Sequence, residues 1–268
     1  MNEGKLERLL SRHSVPRLGA LHAGAHLGQE AEIYQRCGFQ RVLWIEGNPD
    51  LFPRLEAHVR QFPNQSALCV LVSDVDRQSV PFHVTNNDGA SSSMLEFDRG
   101  LLAKSYPGLD VERSVDLEAR RLDAVLSERG VDASKFSFLN LDLQGAELLA
   151  LRGMGGLVDH FDMICTEVNL GRLYRRSALL HEIDEYVGRR GFTRVGLSVL
   201  GVQGQAYYVR RGIQHPVARH LTVVSALAVE TLYRAGIVDF LLRRVAKRDL
   251  FPYSILRAIY RAAVSRDH

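Results

Sequence analysis

The chain has 268 residues, 46% hydrophobic and 24% charged, with 34 Lys and Arg against 31 Asp and Glu for a formal charge of +3. Fractions this close to globular averages exclude a disordered or fibrous chain, and the charge is too balanced for wholesale nucleic-acid binding. Three cysteines, Cys37, Cys69 and Cys165, are widely spaced without a CxxC pair. Each reads as a small buried hydrophobe in a reducing compartment.

The first residues, Met1 to Arg12, are charged and lack the apolar core of a signal peptide. The longest apolar stretches, near Val223–Val229 and Ile237–Leu242, fall short of the roughly 18–20 residues that a membrane-spanning helix needs. The expectation is a soluble cytoplasmic protein.

Short apolar runs alternate with helical patterns, which predicts an α/β fold with a parallel sheet covered by helices. Leu18–Ala23 reads as a first strand ending at a turn over Gly24–Gly28, and Gln29–Cys37 as a helix stopped by Gly38. Arg41–Glu46 is a second strand, Leu51–Arg60 a helix and Ala67–Val72 a third strand with Ser73 and Asp74 at its end. Asn86–Asp110 breaks this rhythm and reads as a long turn-rich loop. Phe136–Leu141 and Met163–Val168 make the fourth and fifth strands, with a helix at Ala146–Arg152 between them. A helix at Ala178–Arg190 leads to strands near Arg194–Ser198 and Ala206–Val209. Residues 213–268 are helical in pattern and carry nine basic residues against four acidic. Such an appendage suits packing on the sheet, pairing with a second subunit, or lying on an acidic membrane surface.

The sharpest local signal is LHAGAHLGQE at residues 21–30, where Gly24 and Gly28 are spaced G-x3-G between strand and helix. Small residues there let a ligand approach the backbone. The dinucleotide fingerprint G-x-G-x-x-G is absent, since His26 stands where its second glycine would be. Glu46 lies 22 residues after Gly24 at the end of the second strand, where an acid in an open α/β sheet accepts hydrogen bonds from ribose hydroxyls. Ser73 and Asp74 end the third strand, where a polar pair can face an adenine edge. Three successive strand ends thus point to a nucleoside cleft. Asp142 ends the fourth strand in FLNLDLQGAELLALRG, and Glu167 and Asn169 end the fifth. Each has a plainer alternative: a tight turn at the glycines, an exposed Glu46, a helix cap at Asp142.

At this point the chain resembles the FkbM-type S-adenosylmethionine-dependent methyltransferases. The matching pieces, in family order over roughly residues 18–210, are LHAGAHLGQE, WIEGNPD, LVSD, GASSSML, RLDAVL, FLNLDLQGAELLALRGM, and TEVN followed by HEIDEYVGRRGF. The resemblance implies a class I methyltransferase fold, Rossmann-like, with a seven-stranded sheet whose last strand is antiparallel. It places the methyltransferase domain at 1–212 and leaves 213–268 as a basic helical appendage. It also implies O-methylation of a sugar or natural-product hydroxyl, with S-adenosylmethionine as donor and a small molecule, glycan or glycolipid as acceptor. Carried over, Gly24 and Gly28 would border the methionine part of the cofactor with Ala25 in the same turn. Glu46 would hold the ribose with Asn48 beside it, and Ser73 and Asp74 would approach the adenine. Asp142 would sit by the sulfonium or the acceptor, and Ser91–Ser93 would form a lid. The family commonly has an acid where this chain has His22, an Asn where it has His26, and an acidic residue where it has Gln144. His22, as a neutral imidazole, would then hydrogen-bond the cofactor's amino or carboxylate end.

Methyl transfer from a sulfonium needs chiefly that the acceptor oxygen be placed in line and its proton removed. Asp142 and Glu167 are the candidate bases, with a contribution of roughly 10²–10⁴-fold for general base catalysis; His22 and His26 also titrate near neutrality. Asp142, Glu167 and Asn169 supply oxygen ligands of the kind Mg²⁺ prefers, whereas no His/Cys cluster suggests zinc. Trp44 and the remaining histidines read as packing or surface residues. The competing class is a catalytically silent nucleoside-binding module recruited to a partner or membrane by its tail, favoured by His22 in place of an acid. A nicotinamide-dependent reductase is disfavoured by the missing glycine fingerprint.

Overall fold

The computed structural model describes residues 3–211 and 225–233. Helix α1 (Glu3–Arg12) precedes β1 (Ala20–Ala23), α2 (Ala31–Arg36), β2 (Val42–Glu46), α3 (Phe52–Val59) and β3 (Gln65–Cys69). There follow β4 (Leu71–Ser73), β5 (Arg77–Thr85), α4 (Arg99–Ser105), β6 (Val111–Arg121) and α5 (Leu122–Glu128). The remainder is β7 (Phe138–Leu141), α6 (Glu147–Gly153), β8 (Met163–Asn169), α7 (Leu180–Arg189), β9 (Phe192–Leu200) and β10 (Gln203–Arg210). Residues 225–233 are helical; the rest of the predicted appendage 213–268, with its subunit and membrane-surface readings, lies outside the described residues.

Seven strands form one sheet in the order β3-β2-β1-β7-β8-β10-β9. Its left five pair in parallel, and β10 runs antiparallel to both β8 and β9. The expected antiparallel last strand is therefore present. Both faces are buried, which is why the central strands read as continuous apolar runs. Leu21, Leu43, Leu139 and Ile164 pack under α5, α6 and α7. On the other face Ala20, Trp44, Phe138 and Tyr207 meet Leu6 and Leu10 of α1, Tyr34 of α2 and Leu55 of α3. No described helix is long and apolar enough to cross a membrane.

The predicted third strand, Ala67–Val72, is two strands in two sheets. β3 sits at the edge of the large sheet, and after Val70, whose N–H donates to Glu46 O (2.8 Å), the chain bends into β4 of a second sheet ordered β4-β6-β5. An unbroken apolar run carries no alternation to mark that bend. The predicted loop Asn86–Asp110 contains α4, begun by Asp98, whose side chain accepts Leu101 N–H at 2.8 Å. Cys37 and Cys165 are buried as expected, but Cys69 is exposed on the edge strand.

Far from the strand ends, Asp184 of α7 is fully buried and accepts from Arg194 Nε of β9 (3.1 Å) and Tyr208 Oη of β10 (2.8 Å). Arg194 also donates to Ser225 Oγ at 2.8 Å, tying in the helix at 225–233. Removing one partner of a buried pair leaves the other charge unpaired. Asp184→Ala is therefore expected to lower folding stability by about 3 kcal/mol, as measured by denaturant unfolding.

Candidate active site

Strand order reverses at β1, which has β2 on one side and β7 on the other. Ligands of open α/β sheets bind outside the carboxyl ends of the strands at such a point. Here Gly24 and Ala25 both donate to Ile45 O (2.9 and 3.1 Å), and Asp142 N–H donates to Ala23 O (3.0 Å), so three strand ends are laced together. Gly24 has φ +81°, and a side chain there would put Cβ 1.7 Å from the carbonyl oxygen of Asp142. Only glycine meets both demands.

A cleft opens at this edge. Gly24, His26 and Glu46 line one side, Asp142 and Gln144 another, and the wall between is apolar: Leu71, Val72, Phe82 and Met94. Leu71, Phe82 and Met94 belong to the core of the second sheet, so that sheet supplies the wall.

Glu46 is nearly buried. Its two carboxylate oxygens accept the N–H groups of His26 and Asn48, each at 2.7 Å. Burial pushes its carboxyl up, and those N–H bonds pull the other way. A carboxylate has about four acceptor sites, so it keeps acceptor capacity toward the cleft.

A second cleft adjoins the first. Glu167, Tyr106, Ser198, Gln203 and Gln205 line it, and it shares Ala90, Asp142 and Gln144 with the first. Gln144 Nε2 donates to Asp142 Oδ1 at 2.6 Å from a backbone with φ +52°. Behind them Glu147 is fully buried, its Oε1 accepting Leu143 N–H (2.9 Å) and Gly145 N–H (3.1 Å). Burial raises the Asp142 carboxyl, pushes Glu147 up to about 7, and drives Glu167 well above the carboxylate range; repulsion from Glu30 adds at Asp142, from Asp142 at Glu147, and from both Asp142 and Glu147 at Glu167. Among the described residues no group of three or more His, Cys, Asp or Glu side chains is placed to hold a metal ion.

The predicted site residues divide sharply. Gly24, Glu46, Asp142 and, in the second cleft, Glu167 line the clefts. His22 does not. It is buried on the α1–α3 face of the sheet, within hydrogen-bond distance of Tyr34 Oη and Asn140 Nδ2 (both 3.1 Å), with its ring 4.9 Å from Trp44. Burial depresses it to about 4, so it is neutral. Alternation along a four-residue strand sends residue 22 to that face. Ala25 is buried under the turn, and Gly28 backs onto Leu55 and Val59 of α3. Asn48 acts through its backbone N–H, while its side chain accepts Asp50 N–H at 3.0 Å. Ser73 and Asp74 are bound to Arg77 (2.8 and 3.2 Å) on the second sheet, outside the cleft.

Sequence reasoning left Glu147, Tyr174 and the second sheet unassigned. Tyr174 Oη lies 3.0 Å from Ser91 O and 2.8 Å from Gln144 Oε1. Ser93 Oγ donates to Gln144 O at 2.8 Å, and His26 Nε2 lies 3.0 Å from Asp88 O. The serine segment thus bridges the glycine turn and the Asp142–Gly145 turn over the clefts.

The sheet order, with its antiparallel last strand, is that of the class I methyltransferase fold. The family model described as the methyltransferase FkbM domain matches residues 22–194. The chain belongs to that family and is an S-adenosylmethionine-dependent methyltransferase. No curated protein matches the chain. Among solved structures it is similar to magnesium protoporphyrin IX methyltransferase from Synechocystis PCC 6803 with bound S-adenosylmethionine, at 10% identity and TM-score 0.42, covering 78% of this chain and 77% of that one. It is also similar to the ribosomal protein L11 methylase of Lactobacillus delbrueckii subsp. bulgaricus, at 12% identity and TM-score 0.38, covering 78% of each.

Glu147 has a consequence for stability. Its folded value of about 7 exceeds the ordinary 4.5, so over that interval the folded state binds more protons than the unfolded one. The contribution of Glu147 to stability is then most favourable below pH 4.5, falls as pH rises to 7, and levels off. Glu147→Gln keeps an acceptor for both N–H groups and removes this dependence. Denaturant unfolding at pH 5 and pH 8 should show the variant gaining on the order of 2 kcal/mol relative to the parent at the higher pH.

Proposed function

We propose that the protein transfers the methyl group of S-adenosylmethionine to a hydroxyl of a saccharide, glycolipid or natural-product acceptor. The observation that carries this reading is that two clefts meet at Asp142 and Gln144, one suited to the donor and one to the acceptor. The chemistry of the first fits the donor. Glu46 keeps acceptor capacity for the vicinal ribose hydroxyls, and Leu71, Val72, Phe82 and Met94 suit the faces of an adenine. The carboxylates at the junction suit a cation. Bound S-adenosylmethionine supplies a methyl group already activated on a sulfonium.

The residues of this chain then have separable tasks. Glu46 holds the ribose, its carboxylate oriented by the His26 and Asn48 N–H groups. Asp142, steadied by Gln144, faces both clefts and accepts the acceptor's hydroxyl proton, becoming a carboxylic acid. Glu167 orients that hydroxyl from the acceptor side, where Gln203 and Gln205 add amide partners. A raised carboxyl makes a better proton acceptor for an alcohol than an ordinary Asp. With His22 neutral and on the far face, the feature that favoured a silent binding module no longer bears on the cleft.

Glu46→Ala is expected to weaken S-adenosylmethionine binding at least 100-fold in calorimetric titration; unchanged affinity would refute the ribose assignment. Asp142→Asn is expected to lower methyl transfer 10²–10³-fold, in the range of a lost general base, with donor affinity changed only severalfold. Transfer of label from methyl-tritiated donor to a panel of hydroxylated acceptors measures the first quantity, and calorimetry the second.

A further inference from the structure

Glu147 lies behind the junction of the clefts and has no task in the reading above. It is 0% exposed, and its Oε2 and that of Glu167 are buried without a hydrogen-bond partner. The bonds given to these acids come from uncharged groups: Gln144 to Asp142, and two backbone N–H groups to Glu147. Among the described residues, neither cleft is lined by Lys or Arg. Other titratable groups face the cluster from neighbouring elements. Glu30 raises Asp142 while His26, at the mouth, lowers it, and Glu167 raises Tyr174 and Tyr106. Lys5 donates to Ser198 Oγ at the rim. A buried acidic trio is costly, and a cationic ligand at the junction would offset part of that cost.

We propose that Glu147, with Asp142 and Glu167, makes this site select a positively charged donor over its uncharged product. This rests on the reading of the first cleft as the donor site. S-adenosylmethionine and S-adenosylhomocysteine share nucleoside and amino acid, and differ in that one carries a sulfonium and the other a neutral thioether. Preference for the sulfonium keeps the spent product from occupying the site. Glu147 touches neither cleft and acts through its field, so it is a specificity-determining residue and not a catalytic one.

The test is calorimetric titration at pH 8 with S-adenosylmethionine, S-adenosylhomocysteine and sinefungin, whose amine carries a positive charge in place of the sulfonium. The parent protein is expected to bind the donor about tenfold more tightly than the product, which corresponds to about 1.4 kcal/mol, with sinefungin siding with the donor. Glu147→Gln and Glu167→Gln should each weaken the donor three- to tenfold and leave the product within twofold. Equal or tighter binding of the product by the parent, or sinefungin binding like the product, overturns the proposal without recourse to any variant. So does a parallel loss of both ligands in folded Glu147→Gln, which would make that residue structural. If the parent binds none of the three ligands, the donor-site reading itself fails, a result distinct from binding without preference.

Discussion

The carbonyl oxygen of Asp142 occupies the space that a side chain at residue 24 would fill, and the rest of the site depends on that contact. Asp142 N–H is bonded to Ala23 O, while Gly24 and Ala25 share Ile45 O. These bonds join the ends of β2, β1 and β7 into one rigid edge. The approach allows no Cβ, because a virtual one stands 1.7 Å from the oxygen. Through it the carboxylates of Glu46 and Asp142 are held on a single frame. Precise placement of that kind is what a transfer reaction between two bound molecules requires.

Around this frame the protein builds unlike surroundings. On one side the second sheet, β4-β6-β5, contributes an apolar wall through Leu71, Phe82 and Met94. On the other the hairpin of β9 and β10 contributes amides and a hydroxyl, through Gln203, Gln205 and Ser198. The serine segment closes over both, held by Ser93 on Gln144 O, by Tyr174 at Ser91 O, and by His26 at Asp88 O. Tyr174 is itself stacked on Phe97, with centroids 4.6 Å apart. The covering of the clefts is therefore coupled to a small hydrophobic cluster beyond them, which also takes in Tyr233 of the helix at 225–233.

Charge is distributed with the same contrast. Cationic side chains are paired at the periphery, as in Arg172 with Glu182, Arg175 with Glu96 and Arg36 with Glu3. Such exposed pairs contribute little to stability. The centre keeps carboxylates among neutral partners, and burial raises each of them. Concentrating buried acid at the junction of the clefts costs stability, a common feature of functional sites.

Much of this was legible in the residues alone. Apolar runs spaced by helical patterns determined the α/β class, because both faces of the large sheet are covered and its strands must be apolar throughout. Gly24, Glu46, Asp142 and Glu167 announced themselves by falling at strand ends, since chain order and spacing suffice to place strand ends on one edge. What only the tertiary structure decided is which way a side chain points and what lies behind it. His22 is one residue from the turn, yet the pleat sends it to the far face against Tyr34 and Asn140. The run at Ala67–Val72 hid a change of sheet, so Ser73 and Asp74 left the cleft and the apolar wall entered it. Glu147 reads as an ordinary first-turn helix acid; its elevated proton affinity comes from burial and from Asp142, contacts that exist only once β7 and α6 have packed. Periodicity records which face is apolar, whereas burial, charge proximity and pleat direction arise from residues far apart in the chain.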